Sequence, residues 1–162
     1  MRSIAFRRAV TLALMSTVLP LGACEDVLAP EPLPPSELRG APTSITLGGK
    51  TLVLETYLYR DFMPVSPPNG KPLIAVLRVK TADGSAFPSG VRADGAWVVL
   101  GDEVWSAAVG EERFPSASSY EVVARNGPKW GPGVTVDVVV RLREDGEEHR
   151  LRASNQPIHR TD

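Results

Sequence analysis

The sequence predicts an all-β protein, an immunoglobulin-like β-sandwich of about seven to eight antiparallel strands, with a small β-barrel as the alternative. Three observations carry this. Apolar residues recur at every second position in several segments after residue 44, the period of a strand with one buried face. Pairs of Gly, Pro, Asn and Asp punctuate the chain about every 8–12 residues. No segment beyond Ser44 places its apolar residues at helical spacing.

The first strand falls in "TLVLETYLYR" (51–60), where Leu52, Leu54 and Leu58 point one way and Glu55, Tyr57 and Tyr59 the other. Pro67-Pro68-Asn69-Gly70 then breaks the chain. In "PLIAVLRVK" (72–80), Leu73, Ala75, Leu77 and Val79 share a face opposite Arg78 and Lys80. Asp83-Gly84 and Ser89-Gly90 are further turns, and strands are predicted near 91–100, 103–109 and 118–125. The clearest alternation is "VTVDVVVRLR" (134–143). Val134, Val136, Val138, Val140 and Leu142 form one row, and Thr135, Asp137, Arg141 and Arg143 its reverse, with Val139 among them. A helix would scatter these residues around its circumference. Asp145-Gly146 joins this strand to "EHRLRA" (148–153) as a hairpin, because a type I′ turn needs positive φ at both central residues. The chain has no cysteine pair to staple the two sheets.

Its single cysteine, Cys24, follows a short apolar run. Residues 1–8 carry Arg2, Arg7 and Arg8 and no acid, and the next 15 residues, to Ala23, are uncharged. That is the layout of a secretory signal peptide, and it falls short of the roughly 20 apolar residues of a membrane-spanning helix. Leu21-Gly22-Ala23-Cys24 resembles the lipobox of bacterial lipoproteins, a leucine and two small residues before cysteine. The resemblance implies cleavage before Cys24 and a thioether-linked diacylglyceryl group on its sulfur. Membrane lipid is then the first partner expected. Each buried methylene contributes about 0.8 kcal/mol, so two or three acyl chains anchor firmly where one does not. The domain would lie outside the cytoplasm, tethered in the cell envelope, and Glu25-Asp26 leaves inner and outer membrane open. The alternatives are an ordinary signal peptide cut near Ala23, or a chance cysteine after an uncleaved anchor.

Residues 25–43, "EDVLAPEPLPPSELRGAPT", contain five prolines. Proline fixes φ and lacks an amide donor, so this stretch is predicted to be an extended stalk without helix, spanning up to roughly 55 Å. The expected organisation is a signal peptide over 1–23, the lipidated Cys24 with a proline-rich linker over 24–43, and one β-sandwich over 44–162.

Removing residues 1–23 takes away three arginines and no acid, so the formal charge moves from −1 to −4. Such a domain carries no electrostatic footprint for nucleic acid. With only His149 and His159, and Cys24 committed to lipid, no metal or other cofactor is expected. Gly-x-Ser-x-Gly is absent, and the acidic pairs fall mostly at turns. Catalysis is therefore not expected, and a hydrolase is the alternative from a different class.

Two stretches are candidate contact sites. In Arg60-Asp61-Phe62-Met63-Pro64, Phe62 and Met63 either form an interaction edge or cap the open end of the sandwich. Asp137, mid-strand between valines, is expected to need a cation, Arg60 or Arg141. In "NGPKWGPG" (126–133), Gly and Pro stiffen a loop with Lys129 and Trp130 at its tip. Trp130 is either an exposed anchor or a plug folded back over the core. The expected role is a non-catalytic binding or scaffolding module. An envelope protein ranks first as partner, carbohydrate or peptidoglycan second, and peptidase inhibition third.

Overall fold

The computed structural model describes residues 28–111 and 116–162. Among them are one short helix, α1 (Pro35–Arg39), and nine strands: β1 (Ser44–Leu47), β2 (Lys50–Asp61), β3 (Leu73–Thr81), β4 (Arg92–Leu100), β5 (Glu103–Ala108), β6 (Gly110–Glu111), β7 (Ser119–Gly127), β8 (Thr135–Glu144) and β9 (Glu147–Thr161). Eight run in the order β5-β4-β8-β9-β2-β3-β7-β6, with β1 beside β2. They make one curled, mixed sheet, a half-barrel whose two walls face each other across the core. The strap wall is β5, β4, β8 and the first part of β9. The open wall is the end of β9 with β2, β3, β7 and β6.

The alternating rows meet inside. Leu52, Leu54 and Leu58 of β2, Leu73, Ala75, Leu77 and Val79 of β3, and Val136, Val138, Val140 and Leu142 of β8 are all buried in one cluster. The Asp145-Gly146 hairpin forms with φ of 50° and 86°, and Glu144 pairs with Glu147 across it.

β9 runs on well past its predicted end. Its pairing with β8 is interrupted by a bulge between Val136 and Val138 and resumes through Gln156 and Pro157. There Asn155 takes φ 55°, in the left-handed region that asparagine tolerates better than most residues. Beyond the bulge, Ile158–Thr161 runs parallel to Leu58–Asp61 of β2. The expected antiparallel set therefore gains one parallel pair. His159 stands in this strand. Because β9 serves both walls, the two halves are one continuous sheet.

The proline-rich segment departs most from expectation: residues 30–42 are a strap over the strap wall. Leu38 is fully buried there with Ala41, Trp97, Val99 and Val139. Trp97 Nε1 donates to the Glu31 carbonyl at 2.8 Å, Arg150 Nη1 to Glu37 Oε1 at 2.6 Å, and the Arg152 amide to the Pro42 carbonyl at 2.8 Å. Pro30 sits so close over Gly95 that a Cβ there would lie 2.8 Å from its ring. The helix excluded by the proline count forms because Pro34 is its N-cap and Pro35 opens its first turn. Amides at that end have no partner within the helix, so nothing is lost. The driving force is the second apolar row of the strap wall, which would otherwise face water. The folded unit thus includes residues 30–42 as well as the strands from Ser44 on.

Candidate functional site

The Arg60–Asp137 pairing is not formed. Asp137 accepts from Arg39 Nε at 3.2 Å, lies 3.7 Å from Arg152 Nη1, and receives the Asn155 amide. It did need a cation, but the first one comes from the segment taken for a stalk. Arg141 instead joins Asp94 at 2.5 Å, and Arg143 approaches the other oxygen of that carboxylate at 2.7 Å. Burial opposes ionisation of Asp94, yet the two guanidiniums overcome it and hold the carboxyl below its ordinary pKa.

Arg60 is 3% exposed and binds carbonyls only. As the last inward residue of β2 it follows Leu58, so the strand aims it at the end of the core. Its Nε donates to Lys71 O at 3.0 Å, and Nη1 to Lys129 O at 3.0 Å and Gly131 O at 2.8 Å. Nη2 donates to Asn69 O. The planar fork of donors thereby ties the β2–β3 connection to the β7–β8 connection, a task suited to guanidinium. Burial lowers its pKa.

This clasp decides the Trp130 loop. Lys129 Nζ donates to Asn69 Oδ1 at 2.7 Å, Trp130 Nε1 donates to Glu103 Oε2 at 3.0 Å, and the Trp130 ring packs against the core. Trp130 is a plug, not a free anchor. Phe62 is also engaged, its ring 5.0 Å from the Arg60 guanidinium and 4.1 Å from that of Arg160. Met63 stays 48% exposed, and so does Val65 at 85%. Cys24 and the lipobox lie outside the described residues. His149 is a half-buried strand residue with Glu147 Oε2 4.0 Å away.

The structure brings together a surface that sequence reasoning did not assemble: the outer face of the open wall. Register sets it row by row. Tyr59 stands between His159 and Ile74, and Tyr57 opposite Val76, which faces Val123. One row further, Arg78 stands between Glu55 and Glu121. The Tyr57 ring stacks on His159 at 5.0 Å and lies 5.4 Å from Tyr59. Ile74 and Val76 are half-buried, and Tyr57 is 46% exposed. Arg78 donates to Glu121 Oε2 at 2.8 Å, Lys80 donates to Glu55, and Thr56 Oγ1 donates to Gln156 Oε1 at 2.7 Å.

Two shallow hollows of about 340 and 390 Å³ adjoin the Arg78–Glu121 pair, and both are lined by Tyr57 and Val76. An apolar, aromatic stripe thus runs beside a ladder of charges. Exposed ion pairs contribute only about 0–1 kcal/mol each, so the ladder offers hydrogen-bonding groups more than stability. Glu55 and Glu121 both accept hydrogen bonds from cationic side chains, Lys80 and Arg78. Among the described residues no three His, Cys, Asp or Glu gather as metal ligands would. The signal for this face was present in the outward Tyr57 and Tyr59, but their neighbours come from strands distant in sequence. No protein family matches the chain, and neither a curated protein nor a solved structure does.

Proposed function

We propose that this chain is a lipid-anchored, non-catalytic binding module of the bacterial envelope that holds carbohydrate on the outer face of its open wall. One observation carries the choice of ligand. Tyr57, Tyr59 and His159 cluster on a sheet face that no described segment covers, edged by the Glu55–Arg78–Glu121 ladder. A sugar ring has an apolar side of C–H bonds and a rim of hydroxyls. Aromatic faces accept the first, and carboxylate, guanidinium and amide groups the second. The hollows have the volume of small-ligand sites. The lipobox residues Leu21 to Cys24 support the anchor.

Retention of the purified mature chain on insoluble peptidoglycan, compared with Tyr57→Ala, tests this. The substitution is expected to weaken retention at least tenfold. Equal retention of both proteins would remove the platform from the reading, and intact mass of native material showing a free thiol at Cys24 would remove the anchor. A protein partner is the second reading, favoured by the exposed Met63 and Val65 beyond the end of β2. Crosslinking in membranes would then recover a polypeptide, and the contact would be lost in Val65→Asp but not in Tyr57→Ala.

A further inference from the structure

We infer that the Tyr57–Tyr59–His159 platform is turned away from the bilayer and takes a glycan polymer lying beyond the membrane surface, an inference that rests on the anchor and carbohydrate readings above. It comes from where the strap holds the chain. Pro30 is docked over Gly95 beside Arg141, on the outer side of β4 and β8. It lies only six positions after Cys24, a reach of at most about 20 Å. The exposed Leu28 and Ala29 mark the exit point.

The platform lies on the other wall. Sheets pack roughly 10 Å apart, and with outer side chains and a strap the body is roughly 25 Å through. A tether of that length cannot pass around the domain to bring the far wall to lipid. Had residues 25–43 been a free stalk, the domain could turn either face to the membrane. Docking of Leu38 and Trp97 removes that freedom. The strap is a positioning element: it keeps the strap wall at the lipid and presents the platform to the cell-wall layer rather than to a partner buried in the bilayer.

Two measurements on the mature chain, residues 24–162, test this. With Cys24 coupled to a maleimide lipid in phosphatidylcholine vesicles, hydroxyl-radical footprinting should show protection over 92–95 and 141–148. Tyr57 and Tyr59 should react as fast as in the free chain. Protection of the two tyrosines, or no protection anywhere, overturns the orientation. A variant with twenty Gly and Ser residues inserted after Val27 should lose the protection.

In the second measurement, vesicles bearing the anchored chain should be retained on purified peptidoglycan sacculi, and those bearing Tyr57→Ala at least tenfold less. If the free chain binds sacculi and the anchored one does not, the orientation is wrong and the carbohydrate reading stands. If neither binds, the carbohydrate reading fails, and with it the glycan as occupant, while the footprint still decides which way the platform faces.

Discussion

The two walls of this half-barrel carry outer rows of similar apolar character and treat them in opposite ways. On the strap wall, Trp97, Val99 and Val139 are sealed by the chain's own residues 30–42, and Trp97 is 2% exposed. On the open wall, Tyr57, Tyr59, Ile74 and Val76 have no described cover. One face is finished by folding, and the other is the face proposed above to take a partner. The side chains reflect this: tryptophan and valine where contact is permanent, tyrosine and histidine where a surface must tolerate water. Buried area on the strap wall therefore reads as stability, and recognition by the exposed area of the open wall is the proposal to be tested against it.

The sharpest way to break this contrast is to substitute at its two centres. Trp97→Ala should cost about 3–5 kcal/mol, the usual range for emptying a buried aromatic site. Urea unfolding gives the loss, and proteolysis after Arg39 should accelerate as the strap lifts. A loss under about 1 kcal/mol would show the strap to be loosely held. Arg60→Ala should cost about 2–3 kcal/mol by leaving buried carbonyls short of donors. Arg60→Lys should restore little of it, because a single ammonium cannot reproduce the fork. Trp130 emission, read with Trp97 and Trp105 replaced by phenylalanine, should shift to the red in Arg60→Ala. Unchanged emission would mean the β7–β8 connection keeps its place without the clasp.

A smaller effect concerns Asp94 beside the docked Pro30. Its folded pKa lies below the unfolded value of about 3.9. Its contribution is thus full above that value and fades as pH falls through it and below. The carboxylate is partly solvated, so the contribution should be under about 1 kcal/mol. Asp94→Asn should flatten the acid limb of a stability–pH curve below about pH 4 and leave the neutral region nearly parallel. A curve identical to that of the parent would exclude the Arg141–Asp94–Arg143 cluster as an acid-sensitive element. Smallest of all on stability is Tyr57→Ala, expected within about 0.5 kcal/mol of the parent while glycan retention collapses. A loss above about 1.5 kcal/mol would make the platform a structural surface and erase the contrast between the walls.

Much of the strand framework is legible because a half-buried strand writes its burial locally. The inward rows of β2, β3 and β8 lie where the period-two pattern puts them, and the Asp145-Gly146 turn announces its own geometry. Two signals for the strap were also present. Val139 breaks the polar row of β8, and "AWVVL" in β4 is apolar on both faces, as strands covered on both sides are. The stretch "PPSELRG" likewise offers proline for a first turn, an early acid and a final arginine. What it would dock on was invisible, since Trp97 and Val139 lie about 60 and 100 residues further along.

Sequence alone determined the all-β class, the inward faces and the main turns. All of these rest on interactions between residues close along the chain. Tertiary structure decided the parallel return of β9, the partners of Arg60 and Asp137, and which outer face is covered. Each of these joins residues dozens of positions apart. A carboxylate or guanidinium states that it needs a partner, but only the folded chain selects which one reaches it.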